Sequence, residues 1–480
     1  MHINKKTNHL PLTPVLHSWV KELVSKPEFL FEAIQKHESP LNIHSLRPFQ
    51  ENIKAYQAVF KELGLKHKIY FARKANKCIA FPIASTQQGE GVDTASFREL
   101  KQCLDVGIDS QHLIMTAAVK NRKLLELAVE QRVTVVLDNL DEWVLLKEIL
   151  NEKQKKITIN VRLGGFIFEG KPLRTRFGFS IEEAFTFIKS IHDQESLVQF
   201  KGLHFHLNGY SVEQRATAIE QSLQLIDRLS EQGIKTESLD IGGGFLMNYL
   251  SDKHEWENFH RELKRAILGE HGPITYQNDA LGIIKIKNKL YGEPTVYPYY
   301  NELNKSDFLK AILTSNSSTF RKPLFELLRE RKIELRMEPG RSLLDQCGVT
   351  IAKVAFRKKD SDGNWLFGLE MNRTQLRSSS ADFLLDPIHI TKTINNQSKH
   401  SCEGFLVGAY CLEQELILKR KIVFSHFPQV GDLILFPNTA GYLMHFFESE
   451  AHLFELAKNM ILTKDNKLTL DIAKIKSEVN

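Results

Sequence analysis

The chain has 480 residues, of which 42% are hydrophobic and 25% charged. That globular composition, with apolar material for a large core, excludes a disordered chain, a fibrous repeat and a disulfide-stapled miniprotein. The formal net charge of +6 is mild and no basic run concentrates it, which argues against nucleic acid as a partner and leaves small anionic molecules.

At ~150 residues per domain the length predicts two or three domains, although an α/β barrel can take 250 or more residues by itself. The amino terminus, MHINKKTNHLPLTPVLHSW, lacks the apolar core of a secretory signal, and no run of ~18 apolar residues occurs. Cys78, Cys103, Cys347, Cys402 and Cys411 are widely and irregularly spaced with no CxxC pair. Reduced thiols, a cytoplasmic location and no membrane partner are the expectation.

Residues 1–44 read as an arm that partly joins a later β domain. From about residue 68, short apolar runs alternate with amphipathic segments. KIYFAR (68–73) predicts a strand, and 96–106 a helix with Leu100, Cys103 and Leu104 on one face. LIMTAA (113–118), a helix through Leu124, Leu125 and Ala128, VTVVLD (133–138) and a helix from Glu142 follow. ITINVRL (157–163), GLHFHL (202–207), LDIGGGF (239–245) and IELRMEPG (333–340) continue the series. The strands are nearly continuously apolar, as parallel strands covered on both faces are. Helical crossovers between them predict a (β/α)8 barrel over 45–345. After about residue 346, VTIAKVAF, NWLFGLEM, FLVGAY, KIVFSHF and DLILFPN are punctuated by Gly, Pro, Asp and Asn, which predicts a β-rich domain over 346–480.

Polar or glycine-rich groups end the barrel strands, where such barrels place their active sites. Lys74 follows KIYFAR beside Arg73. A partly desolvated, electrostatically crowded lysine is the kind that forms a Schiff base, and a rim salt bridge is the plainer reading. The triplet Gly242-Gly243-Gly244 suits an anion at its backbone N–H groups, or only a tight turn. It matches neither GxGxxG nor GxxxxGK[ST]. His204 and His206 share a strand face, as a metal pair, a ring against a planar ligand or buried hydrogen-bonded groups. Without a third ligand the metal reading is weak and no metal is expected. Glu338 and Arg341 of EPGR supply a carboxylate and a guanidinium around a forced turn. Cys411 follows GAY and precedes Glu413 and Glu415; by itself it reads as an inert thiol.

The order ARKAN, GVDTAS, GLHFH, DIGGGF, EPGR, GAYC and GD…FPNTAGY is far more specific than any one element. It resembles the group IV, fold-type III pyridoxal-phosphate decarboxylases, the ornithine/diaminopimelate/arginine decarboxylase family, over roughly residues 30–445. The resemblance implies an alanine-racemase-type TIM barrel with a C-terminal β-rich domain, pyridoxal 5'-phosphate as cofactor and a homodimer with shared sites. Lys74 would carry the cofactor as a Schiff base, with Asp93 of GVDTAS among the cofactor ligands. His206 would stack on the pyridine ring, Gly242, Gly243 and Gly244 cradle the phosphate, and Glu338 hold the ring nitrogen protonated. Tyr442 would contact the phosphate, and Arg341 the phosphate or the substrate carboxylate. Arg377 and Glu415 would join Arg341 in binding substrate. Reaction would run through an external aldimine and loss of CO2, with Cys411 from the partner subunit protonating the product.

Three departures stand out. The family's His-x-Gly-Ser is here His206-Leu207-Asn208-Gly209-Tyr210, so the phosphate-binding serine has no clear counterpart. Leu412 replaces the acidic residue after the cysteine, which argues for a substrate that differs at its far end, while Glu415 stands for the later aspartate. The span from Gly244 to Glu338 is about twice the family's usual length. Its excess, centred near 270–325 and including YGEPTVYPYYNEL (291–303), reads as a lid, an interface element or a decorated surface loop. The alternatives to a decarboxylase are a racemase on the same barrel, which would pair the lysine with a tyrosine of the β domain, and a non-catalytic regulatory homologue.

Overall fold

The computed structural model describes residues 10–378, 383–392 and 400–472. Eight parallel strands close into a barrel: His67–Ala72, Gly91–Thr94, Leu113–Met115, Thr134–Leu137, Ile157–Leu163, Val198–Phe205, Ser238–Asp240 and Glu334–Met337. The last of them closes it, pairing on one side with Ser238–Asp240 and on the other with His67–Ala72. These strands are short and almost wholly buried, as expected of a sheet covered by helices on its outer face. Asparagine and serine side chains cap several of the crossover helices: Asn121, Asn139, Ser180 and Ser211 each accept a first-turn N–H. The predicted barrel is the fold observed.

The chain forms two compact units. Among the described residues, one unit, containing the barrel, comprises 49–246, 303–343, 471 and 472; the other, rich in β-strands, comprises 10–48, 247–302 and those from 344 to 470. The β-rich unit is built on a nine-stranded sheet. Its long strand Gly348–Lys359 pairs with Leu41–His44, Trp365–Leu369 and Leu433–Phe436. Leu41–His44 also pairs with Lys458–Leu462, so a strand of the amino-terminal segment lies inside this sheet. No described helix is long and apolar enough to cross a membrane.

The excursion between Gly244 and Glu338 differs from the sequence reading. Residues 303–343 stay with the barrel and supply the helices Lys305–Thr314 and Leu324–Glu330. Residues 247–302 belong to the β-rich unit instead. Tyr297 and Tyr299 are buried in a core shared with Phe383, Leu384, Phe436 and Leu443, and the Tyr299 hydroxyl accepts the Leu384 N–H at 3.2 Å. Burial of such rings is what holds the segment in place. Tyr299→Ala is therefore expected to destabilise the β-rich unit by about 3–5 kcal/mol, the range for truncating a large buried aromatic. Urea unfolding followed by near-ultraviolet circular dichroism would measure it.

Candidate active site

Strand register gathers the barrel's charged groups at one end. Ala72 is paired with Asp93, so Lys74, two residues further on, emerges beside that carboxylate. Arg162, His204, Asp240 and Arg336 lie side by side across four adjacent strands. His206 and Glu338 stand two residues beyond His204 and Arg336, on the same faces of their strands.

Lys74 sits in a 3-10 turn, Arg73–Ala75, directly after the first barrel strand. Its Nζ lies 3.0 Å from Asp93 Oδ2, and its side chain retains 35% exposure while Asp93 has none. The rim salt bridge thus exists, and it holds an accessible amine. Asp93 also accepts the Thr116 hydroxyl. Burial and the neighbouring Glu338 push the Asp93 carboxyl up; Lys74 and Thr116 oppose the shift.

Glu338 is buried, and its Oε1 lies 3.0 Å from His204 Nε2. Burial raises the Glu338 pKa against the pull of Lys74 and Arg162. Burial, with Arg162 adding, drives His204 well below its ordinary value, so that one proton lies between its Nε2 and Glu338 Oε1. His204 Nδ1 is buried without a hydrogen-bond partner, as is Asp240 Oδ2. Asp240 Oδ1 accepts the Gly242 N–H at 2.8 Å. Burial and Glu338 drive the Asp240 carboxyl well above its ordinary value. His204, Asp240 and Glu338 place one ligand atom each within 4.8 Å of one another.

The glycine triplet follows at once. Gly242 and Gly244 have φ of +66° and +82°, a region that strains any residue with a Cβ. A Cβ on Gly243 would lie 2.6 Å from the Glu338 carbonyl oxygen, so this position must be glycine for the loop to pass the EPGR turn. Gly243 N–H donates to His206 Nδ1 at 3.1 Å. That bond fixes the ring's orientation and requires an unprotonated Nδ1. Burial, with Lys74 and Arg162 adding, holds the His206 pKa well below its ordinary value.

Lys74, Asp93, His206, Gly242, Gly243, Gly244 and Glu338 thus share the carboxyl end of the barrel, and the half-buried Arg341 belongs to the same unit. Arg377, Cys411, Glu415 and Tyr442 belong to the β-rich unit. Cys411 and Leu412 are exposed there, whereas Glu415 is buried. Glu415 Oε1 accepts the Arg373 N–H at 2.8 Å, and Oε2 lies 3.5 Å from Arg373 Nε. Burial raises its pKa, opposed by Arg373 and Arg377. Tyr442 has φ of +70° and packs its ring 5.6 Å from that of Phe446.

Sequence reasoning passed over Asp240, Arg162 and Arg215, and left His204 without a role in the site. Arg162 is buried, 3.4 Å from Asp138 Oδ1, with its guanidinium 4.1 Å from the centre of the Phe177 ring. Arg215 is 1% exposed. A usable signal existed for Arg215: it occupies the buried stripe continued by Ala218, Ile219, Ser222 and Leu223, where an apolar residue is expected.

A closed parallel barrel with a lysine after its first strand, a histidine against a glycine loop and a buried carboxylate opposite defines a fold-type III pyridoxal-phosphate enzyme. Residues 46–283 match the family described as pyridoxal-dependent decarboxylase, pyridoxal binding domain. An uncharacterised protein of Sinorhizobium fredii, y4yA, is 28% identical over 469 residues, covering 97% of this chain and 96% of the relative. Diaminopimelate decarboxylase of Staphylococcus aureus is 27% identical over 418 residues, covering 85% of each. The crystal structure of diaminopimelate decarboxylase from M. jannaschii in co-complex with L-lysine superposes with a TM-score of 0.68 at 17% identity, covering 92% of this chain and 91% of that one.

Pyridoxal phosphate is the cofactor, and the residues present fit it. An accessible amine is poised on Asp93, and a buried carboxyl is available for a pyridinium nitrogen. The glycine loop leaves no room for side chains. Several buried polar atoms nearby (His204 Nδ1, Asp240 Oδ2 and nitrogens of Arg162 and Arg215) have no hydrogen-bond partner among the described residues.

Proposed function

We propose that the protein is a pyridoxal-phosphate-dependent amino-acid decarboxylase, similar to diaminopimelate decarboxylase around the cofactor and different at the distal end of the substrate. The observation that carries this reading is the Lys74–Asp93 pair beside the Glu338–His204 pair at the carboxyl end of one barrel. Bound, the cofactor supplies an electron sink for the charge left behind when CO2 departs. Lys74 would anchor it, with Asp93 holding the amine's proton. Glu338, oriented by His204, would serve the ring nitrogen. His206, neutral and fixed by Gly243, would hold the ring. Arg341 and Tyr442 would hold the phosphate end, and Arg341, Arg377 and Glu415 would orient the substrate. The Cys411 thiol returns a proton to the product carbon as general acid.

The exposed Cys411 supports a site completed by a second copy of the chain. In a two-fold dimer with sites shared in this way, mixing inactive Lys74→Ala and Cys411→Ala proteins regenerates one intact site per heterodimer. About a quarter of wild-type activity is then expected from random pairing. Rates after subunit exchange would check it, and the absence of rescue would remove the shared site. Leu412 in place of an acidic group supports a substrate without a distal ammonium, or one masked. Screening basic, acidic and neutral amino acids for CO2 release tests the reading itself: ready turnover of meso-diaminopimelate would overturn the divergent pocket, and inversion without CO2 would favour a racemase.

A further inference from the structure

The glycine loop is poor in donors. Gly242 N–H is engaged by Asp240 and Gly243 N–H by His206, so two of its three N–H groups are committed within the protein. The neighbouring loop, residues 207–211, carries no cation, and its Ser211 hydroxyl is engaged by Glu213. A phosphate ester held here needs donors from elsewhere.

Arg215 is placed to supply them. It lies in the first turn of the helix Val212–Glu231, and its Nη2 donates to the carbonyls of Gly209 and Gly244, both at 3.0 Å. A Cβ on Gly244 would fall 2.5 Å from that same nitrogen, so the guanidinium lies directly against the glycine loop. Its Nε and Nη1 are buried with no hydrogen-bond partner, and no carboxylate pairs with it among the described residues. Burial pulls its pKa down to about 10. An unpaired buried cation with empty donors is among the costliest arrangements in a protein interior. An anion relieves it.

Building on the cofactor reading above, we infer that Arg215 adds a second cation to the phosphate cup, beside the Arg341 assigned to the phosphate end. Through Nη2 it ties together the loops after two adjacent barrel strands, and through Nε and Nη1 it binds phosphate-ester oxygens. A guanidinium suits that task because its donors are fixed in a planar fork. The competing account is a clamp that only braces the loops.

Titrating wild-type, Arg215→Lys and Arg215→Met apo-proteins with pyridoxal 5'-phosphate and with pyridoxal separates the two. Binding is read by visible absorption and by the melting temperature with inorganic phosphate alone. Arg215→Met is expected to lose about 10- to 100-fold in affinity for the phosphorylated ligand, the value of a charged hydrogen-bond set, with little change toward pyridoxal. Arg215→Lys, which keeps the charge and the fold, retains part of the preference. Inorganic phosphate should raise the melting temperature of wild type and not that of Arg215→Met. Equal losses toward both ligands, or an undiminished phosphate preference in Arg215→Met, would overturn the inference. A wild type that binds neither pyridoxal form yet is stabilised by phosphate through Arg215 would overturn the cofactor reading alone. Indifference to all three ligands would overturn both.

Discussion

Replacing Lys74 by alanine is expected to abolish the visible absorption band of the bound cofactor and to lower decarboxylation by at least about 10⁴-fold, the scale seen when a covalent nucleophile is removed. The geometry explains why no neighbour substitutes. Lys74 Nζ is the amine placed against Asp93 at 3.0 Å. The nearby Lys120 is buried, with its Nζ held by both oxygens of Glu142 and by the Ala117 carbonyl. Added primary amines should restore part of the rate, because the barrel retains Asp93, Glu338 and His206. Stability separates loss of chemistry from loss of fold. Removing a partly exposed lysine leaves the wholly buried Asp93 without its cation, and Asp93 responds by taking up a proton. The variant should therefore fold, with a pH dependence that reports Asp93 alone.

Glu338→Gln is expected to lower kcat/KM by about 10²–10³-fold, the effect of removing one preorganised charge from a site where charge develops. The amide keeps an oxygen for His204 but cannot supply a negative charge to a protonated ring nitrogen. Stability should move the other way. Burial raises the Glu338 pKa, so above the ordinary glutamate value the folded protein keeps a proton that the unfolded chain has released. Its favourable contribution is complete below that value and is lost as the pH rises through the folded-state pKa. Glutamine has no proton to lose. The variant should therefore gain on wild type in urea unfolding as the pH rises above the ordinary glutamate value and through the raised folded-state pKa. A variant less stable across that range would show that the carboxylate is held by more than it costs.

The barrel was legible because its strands are nearly continuous apolar runs ending in unusual residues: a lysine, a histidine, three glycines, a glutamate. Such endings mark backbone turning at a strand terminus, and the pattern survives in one dimension. The strand Gly91–Thr94 was legible only as part of a motif, since GVDT is short and carries an acid and a glycine. That glycine is there because a Cβ would strike the Tyr70 ring at 2.5 Å. The allegiance of residues 247–302 was not legible. The partners of Tyr297 and Tyr299 lie about the hydrophobic core formed after residue 352, and no local periodicity encodes contacts so far along the chain. Asp240 was hidden in an apolar run, and its buried carboxyl makes sense only beside His204 and Glu338. Arg215 was hidden by its type: a lone arginine near a helix start looks solvated until the stripe it interrupts is recognised.

The interleaving of the two units bears on how the chain is synthesised and on how it can be cut. The β-rich unit is assembled from three separate stretches, and the barrel's closing strand, Glu334–Met337, emerges only after two of them have been made. A ribosome-bound chain must hold seven barrel strands with an unsealed edge while Tyr297 and Tyr299 await partners not yet translated. Both are aggregation-exposed states. Neither half is therefore a natural expression fragment. A contiguous clone of 45–345 would carry an orphaned piece of the other unit's interior, and its exposed tyrosines would favour association over folding. Deleting 247–302 and bridging Leu246 to Leu303 is the excision that the connectivity permits.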